Sequence, residues 1–468
     1  MANDASTHFS KSYFDNRIRV HIDGKLHNFH ALAIPMFNQH SANNIFHLVS
    51  RFLDVVVPQW RMQLIGVGSD GANVMTGHLQ GVVTQMVSET KHKVYRVWCG
   101  LHQLDLVLKH AYKKIWDNEI VKIMKKFITH LRQQSALITA MRAACPQLST
   151  RWLVMGKVSA WFLAKYIPLM EYINAAMEPI KEAPPAWWWV VIASISAITD
   201  VINPAITQLQ APNLLVSKQA AILVQLSVDI CGMIGIEGPF TQDQINQKAL
   251  EGFQCVDGRW AISYTRIMEF LGSTGMHYRH LLNSLSDELH QKVIHSVGEL
   301  VIGIVEGIVN IQAERDRKNR PDDVIPDVLP HELVKVSMAE YGERVVDTHL
   351  PQLRLTWSKH DIEEIETQHK ALCNAYRNEP ALRYALDDYE KHGNFSFDTA
   401  WAIVEGRFDV LQDFNGEIAT VFTNTASVES DFSLLGWEKD VYRLSITDLS
   451  LEGVIQCKQY EMLSRFGG

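Results

Sequence analysis

Residues 17–23, RIRVHID, alternate strictly, so that Ile18, Val20 and Ile22 fall on one side of an extended chain and Arg17, Arg19 and His21 on the other. Asp23-Gly24 then supplies a two-residue turn of the kind that tolerates positive φ at both positions, and NFHALAIP, closed by Pro35, supplies a returning strand. A sheet that begins this way begins antiparallel. Its continuation changes sense. Ser41 is placed to cap a helix whose apolar positions Ile45, Leu48, Val49, Phe52, Val55 and Val56 keep helical spacing until Pro58. Residues 62–67 then read as a buried strand, 74–87 as a helix, 94–99 as a strand and 101–116 as a helix, with room for one further strand before residue 12.

Beyond residue 156 strand signals thin out and helical periods dominate to about residue 395, for instance over 220–234 and 290–309. PPAWWWVV at 184–191 reads as a core anchor of this block. ERDRKNRPDD at 314–323 reads as an exposed loop, and residues 445–466 as a closing amphipathic segment. Three divisions follow: 1–155, 156–395 and 396–468.

Of the 468 residues, 47% are hydrophobic, enough for a large core, and the net charge of -8 excludes a chain that is basic throughout. Nucleic-acid contact then requires a local patch. One exists: Lys109, Lys113, Lys114, Lys122, Lys125, Lys126, Arg132 and Arg142 face only Asp117 and Glu119 in their stretch of sequence, although a solvated helix face has the same composition. The six cysteines are scattered without a paired motif, which predicts no disulfides and a reducing compartment. MANDASTHFSK does not read as a secretory leader, and the apolar run 186–198 falls short of the roughly 20 residues that span a bilayer. These features predict a soluble intracellular protein with no membrane partner.

The stretch GVGSDGANVMTG, residues 66–77, contains the spacing G-x-G-x-x-G at Gly66, Gly68 and Gly71. A dinucleotide fold would place this turn after its first strand and an acid about 20 residues on, at the end of the next strand. Here two strands precede it, the next strand ends in Cys99-Gly100, and Asp70 inside the turn would repel a pyrophosphate. No nucleotide cofactor is expected. The remaining reading is a strand that ends by presenting one carboxylate, Asp70.

A hairpin followed by alternating helices and parallel strands is the order expected of an α/β ribonuclease-H-like mixed sheet, here interrupted by a large all-helical insertion. In such folds carboxylates at strand ends hold Mg2+, a hard cation that prefers oxygen donors and keeps positions for water and phosphate, with Mn2+ as its usual surrogate.

Four blocks resemble the hAT transposases: DASTH at 4–8, LIGVGSDGANVMTG with VWCGLHQLDLVLK at 64–109, CPQLSTRW at 145–152, and NTASVESDFSLLGWEKD at 424–440. They cover nearly the whole chain in order. The resemblance implies that Asp4, Asp70 and Glu429 are the catalytic and metal-binding carboxylates. It also implies that Cys99 with His102 and Arg151 with Trp152 organise the site, Trp152 stacking on a flipped base, and that Lys109, Lys113 and Lys114 adjoin DNA. It further implies nuclear localisation, DNA as partner and homo-oligomerisation through the C-terminal region.

Each of these residues also has a plain structural reading. Asp70 before Gly71 suits a turn, Asp4 a polar tail lacking most of its strand, and Glu429 the first turn of a surface helix. Cys99 and His102 number two where zinc usually needs three or four ligands, and Trp152 suits a core. Two functions therefore stand open. One is metal-dependent DNA cleavage and strand transfer. The other is a catalytically inactive transposase-derived DNA-binding or dimerising protein, favoured by the lack of zinc-finger spacing before residue 99 and by Ser430, where the family commonly has Arg.

Overall fold

The computed structural model describes residues 1–8, 11–36, 41–77, 79–148, 154–255, 259–318, 325–394, 396–438 and 445–464. It divides into two compact units, each assembled from separated stretches. One comprises Met1–His102, Leu209–Ala220 and Asn319–Gly468, and the other Gln103–Gln208 and Ala221–Lys318. The chain passes between these units at 102/103, 208/209, 220/221 and 318/319.

The first unit holds a five-stranded mixed sheet of β1 (Ala2–His8), β2 (Lys11–Ile22), β3 (Lys25–Pro35), β4 (Gly66–Ser69) and β5 (Tyr95–Trp98) in the order β3-β2-β1-β4-β5. β2 is antiparallel to both neighbours, whereas β4 is parallel to β1 and to β5. The expected hairpin is present, with Asp23 and Gly24 at φ 50° and 73°, the left-handed conformations its two-residue turn requires.

The strand before residue 12 is also present. β1 pairs with β2 from Ala2↔Arg17 to His8↔Lys11, which corrects the reading of Asp4 as part of a polar tail. Its small residues explain the docking: Ala2 is buried with Tyr13 and Ala33 beneath Phe422, Val428, Phe432, Leu435, Leu451 and Ile455. The other face of the sheet carries Phe14 and Val67 against Ile45, Phe46, Val49 and Leu53 of the Ala42–Val56 helix, whose N-cap Ser41 accepts from the Asn44 N–H.

Two other expectations are revised. Residues 62–67 do not form one strand, because a helical turn, Trp60–Gln63, buries Trp60 and bonds its indole to Asp54 at 2.9 Å, so that β4 starts only at Gly66. The helix expected over 74–87 is two short pieces, Asn73–Thr76 and Val82–Ser88. Between them Gly77 and Gly81 approach so closely that a Cβ on Gly81 would lie 2.4 Å from the Gly77 nitrogen.

Among its described residues the second unit is helical apart from a two-stranded antiparallel pair, Phe253–Cys255 with Ala261–Ser263. Trp188 and Trp189 are fully buried, as the Trp cluster predicted, and the Trp188 indole donates to the Ile120 carbonyl at 3.0 Å. The apolar run around them is longer than its sequence suggested. It belongs to a 24-residue helix, Ala186–Leu209, because Ile202, Ala205 and Leu209 continue the apolar face past Asp200. This helix and Asp287–Ile311 are long and apolar enough to cross a membrane, yet 61% of the apolar stretch of each is buried inside the protein. The charged stretch 314–323 is not all loop, since the Asp287–Lys318 helix takes in its first half and residues 319–324 lie outside the described residues.

Candidate functional site

β1 and β4 run side by side in the register Ala2↔Gly68 and Asn3↔Ser69. Continued by one residue, that register brings Asp4 to the end of β4, where Asp70 follows Ser69. Asp4 also stands opposite Asp15 of β2 and so shares its face of the sheet. Asp4 and Asp70 are both partly exposed. Asp70 Oδ1 accepts from the Ala72 N–H at 3.3 Å, which makes it a turn residue too, and Asp4 Oδ1 accepts from the Ala5 N–H at 2.7 Å. A carboxylate offers about four lone-pair positions, so the turn bond does not saturate Asp70.

The Ala426–Glu438 helix packs on β1 and β2. Its start is fixed by the buried Asn424, whose Oδ1 accepts from the Ala426 N–H at 3.1 Å while its amide donates to the carbonyl of Leu209 at 2.7 Å. Glu429 stands in the first turn of this helix, but its side chain lies outside the described residues, as do Arg151 and Trp152. Cys99 is buried, and its N–H donates to the Ser69 carbonyl at 3.1 Å, joining the end of β5 to the residue before Asp70. His102 is half-buried in the first turn of the Gly100–Lys114 helix.

In the helical unit Lys109 is half-buried, whereas Lys113, Lys114, Lys122, Lys125, Lys126, Arg132 and Arg142 are exposed. Lys122 lies 3.5 Å from Glu119, and Arg132 donates to the Cys145 carbonyl at 2.7 Å.

The glycines of the 66–77 stretch serve packing. A Cβ on Gly66 would come within 2.7 Å of the Val421 side chain, and one on Gly68 within 3.2 Å of the Phe422 carbonyl oxygen, whereas one on Gly71 would meet nothing within 4 Å. The first two glycines therefore admit the segment that leads into the Ala426–Glu438 helix.

A second cluster, which the sequence reading missed, lies on the same face. Among the described residues, the one group of three His, Cys, Asp or Glu side chains able to hold a metal ion is Asp15, His30 and Asp431, with donor atoms all within 4.8 Å of one another. His30 Nδ1 lies 3.3 Å from Asp431 Oδ2 and 3.5 Å from Asp15 Oδ1, and its Nε2 lies 3.1 Å from Glu452 Oε1. Arg17 grips Asp431 with two bonds of 2.6 Å.

Burial pushes the Asp15 carboxyl up to about 7 against the pull of His30. Burial alone would depress His30, but Asp15, Asp431 and Glu452 outweigh it and raise the imidazole to about 11. Asp431 is also desolvated, yet His30 and Arg17 hold it below the usual carboxylate range. The alternation in RIRVHID separates the two faces of β2 but not which of them is covered. Arg19 is buried at 4% exposure, while Ile18, Val20 and Ile22 are only half-covered. No protein-family model matches the chain, and no curated protein matches it.

Proposed function

We propose that this chain is a hAT-type transposase-like protein, its sheet unit a ribonuclease-H-like core and its helical unit the insertion such a protein carries. The observation that carries this reading is the β1/β4 register, which runs Asp4, inside β1, alongside the end of β4 where Asp70 follows, on the sheet face against which the Glu429-bearing helix packs. The strand order β3-β2-β1-β4-β5, with β2 alone reversed, supports the same reading.

Asp4, Asp70 and Glu429 offer only oxygen donors, which fits Mg2+, and the partial exposure of the two aspartates leaves room for a phosphate and water. Mg2+ held there would activate a water or a 3'-hydroxyl and steady the leaving oxygen at a DNA phosphate. The protein's own part is positional. The Cys99 N–H on Ser69 fixes the end of β4, and the Asx turn at Asp70 fixes the carboxylate's direction. DNA is the proposed substrate, with the exposed cations of residues 113–142 as contributors to its retention.

Nicking of supercoiled plasmid in Mn2+ tests this. Wild type nicks and Asp70→Asn does not; equal nicking by the variant sinks the assignment. The second reading, a DNA-binding or dimerising protein without catalysis, draws on the exposed Ser430 at the position of the family's common Arg. It predicts salt-dependent DNA retention with no nicking by wild type.

A further inference from the structure

The charge-assisted contacts around His30 are too long for what they would have to do. Hydrogen bonds between an ionised imidazole and carboxylates in a dry interior close to about 2.7 to 2.9 Å. Here the three carboxylates stand 3.1 to 3.5 Å from the ring nitrogens, although every side chain except Glu452 is at most 2% exposed. Neither carboxylate oxygen of the fully buried Asp15 accepts a well-formed hydrogen bond, and His30 Nδ1 stands 3.5 Å from its Oδ1. An unsatisfied buried carboxylate is costly and calls for an explanation.

From this geometry we infer that Asp15, His30 Nδ1 and Asp431 form a structural site for a borderline divalent cation of the zinc class, separate from the Asp4, Asp70 and Glu429 set. A tetrahedral zinc ion about 2.0 to 2.1 Å from each donor holds its ligand atoms about 3.3 to 3.4 Å apart. The His30 Nδ1 separations from Asp431 and Asp15, 3.3 and 3.5 Å, match that edge. One imidazole with two carboxylates suits zinc better than Mg2+, which selects oxygen.

The surroundings have the form of a metal's outer shell. Glu452 holds His30 Nε2, the nitrogen not needed for ligation, and is itself fixed by the Ala33 N–H at 2.8 Å. Arg17 holds Asp431. The charges also close. Three carboxylates balance one divalent ion and Arg17 when His30 is neutral, and binding releases the proton of His30 Nδ1 together with whatever proton Asp15 carries. Such an ion would tie β2 and β3 to the helix that bears Glu429.

The test is the metal content of the full chain, expressed with zinc or with cobalt as a spectroscopic substitute and then freed of loose metal. Wild type and Asp70→Asn should each carry about one ion per chain. His30→Gln and Asp15→Asn, if they keep the wild-type circular dichroism, should lose it, and cobalt-loaded wild type should show a tetrahedral ligand-field band in the visible. If both variants unfold, that band in wild type and in Asp70→Asn decides. Folded wild type that takes up no zinc or cobalt, also when refolded in their presence, would overturn the site and leave protons as its only cations. Undiminished metal in folded His30→Gln would overturn it as well. Loss of metal from Asp70→Asn alone would assign the ion to the other carboxylates and overturn it too.

Discussion

Arg17 and Asp431 are joined by two parallel hydrogen bonds, Nε to Oδ2 and Nη2 to Oδ1, each 2.6 Å long, between a strand and a helix more than 400 residues apart in sequence. Asp431 is 1% exposed, so it depends on His30 and on this partner for its charge. Removing one member of a buried pair strands the other, and Arg17→Met is expected to cost about 2 to 4 kcal/mol by denaturant unfolding. The bonds anchor the helix that carries Glu429, so if the chain nicks DNA, nicking should fall with stability. An unchanged unfolding midpoint would show that the pair does not hold the helix.

The glycines make separable predictions. Gly66→Ala drives a Cβ into Val421 and should destabilise by about 1 to 3 kcal/mol, the usual range for overpacking. Val421→Ala in the same chain should return part of that loss, whereas Gly71→Ala should be close to neutral. Equal effects at Gly66 and Gly71 would contradict the close approach.

These positions show how much the sequence disclosed. The Asp23-Gly24 hairpin, the Ser41-capped helix and the strand ending before Asp70 were legible because turn chemistry, capping and apolar runs are local. The two breaks in the expected pattern, at Trp60–Gln63 and between Gly77 and Gly81, arise from contacts among residues a few positions apart that periodicity does not weigh. Of the candidate sites, Asp70 was legible as a carboxylate following a strand. The cluster of Asp15, His30 and Asp431 was not, because nothing local marks which polar residues of β2 face a helix supplied by the far end of the chain.

Buried neutral histidines predict acid lability. Burial, helped by Lys93 and His92, lowers His349 to about 4, while Val345 opposes the shift and Tyr95 Oη lies 3.0 Å from its Nε2. The unfolded chain binds that proton near pH 6.5, so between about 6.5 and 4 it holds more protons than the folded chain. Stability from this group is complete above about pH 6.5 and declines as pH falls to about 4, by roughly 3 kcal/mol in all. Burial with Lys218 lowers His331 to about 4 as well and adds to the same slope. Denaturant midpoints for wild type and His349→Gln should converge toward pH 4; parallel curves would contradict the assignment.

If the exposed lysines contact DNA, they do so by releasing counterions. Each phosphate neutralised contributes about 0.9 to the slope of log affinity against log salt, so Lys113→Gln with Lys114→Gln should flatten that slope by about 2. Fluorescence anisotropy on duplex DNA at several salt concentrations measures it. An identical slope would make these lysines a solvated helix face.

The C-terminal segment expected to mediate oligomerisation has a structural duty of its own. The Asp448–Lys458 helix buries Leu451 and Ile455 against the sheet, and Asp448 Oδ1 accepts from Tyr13 Oη at 2.9 Å. Gln459 accepts from the His30 N–H at 2.9 Å and donates to its carbonyl at 2.8 Å, pairing with β3 as a neighbouring strand would. Deleting residues 441–468 would therefore remove part of the core and unfold the sheet unit, whatever the oligomeric state. Point changes avoid this difficulty because Trp437, Leu449 and Tyr460 are 81%, 83% and 69% exposed. If the region mediates self-association, Leu449→Asp with Tyr460→Asp should lower the mass measured by light scattering to that of one chain while circular dichroism stays unchanged, since exposed substitutions cost little folding stability. A folded variant that keeps an oligomer's mass would move the interface elsewhere.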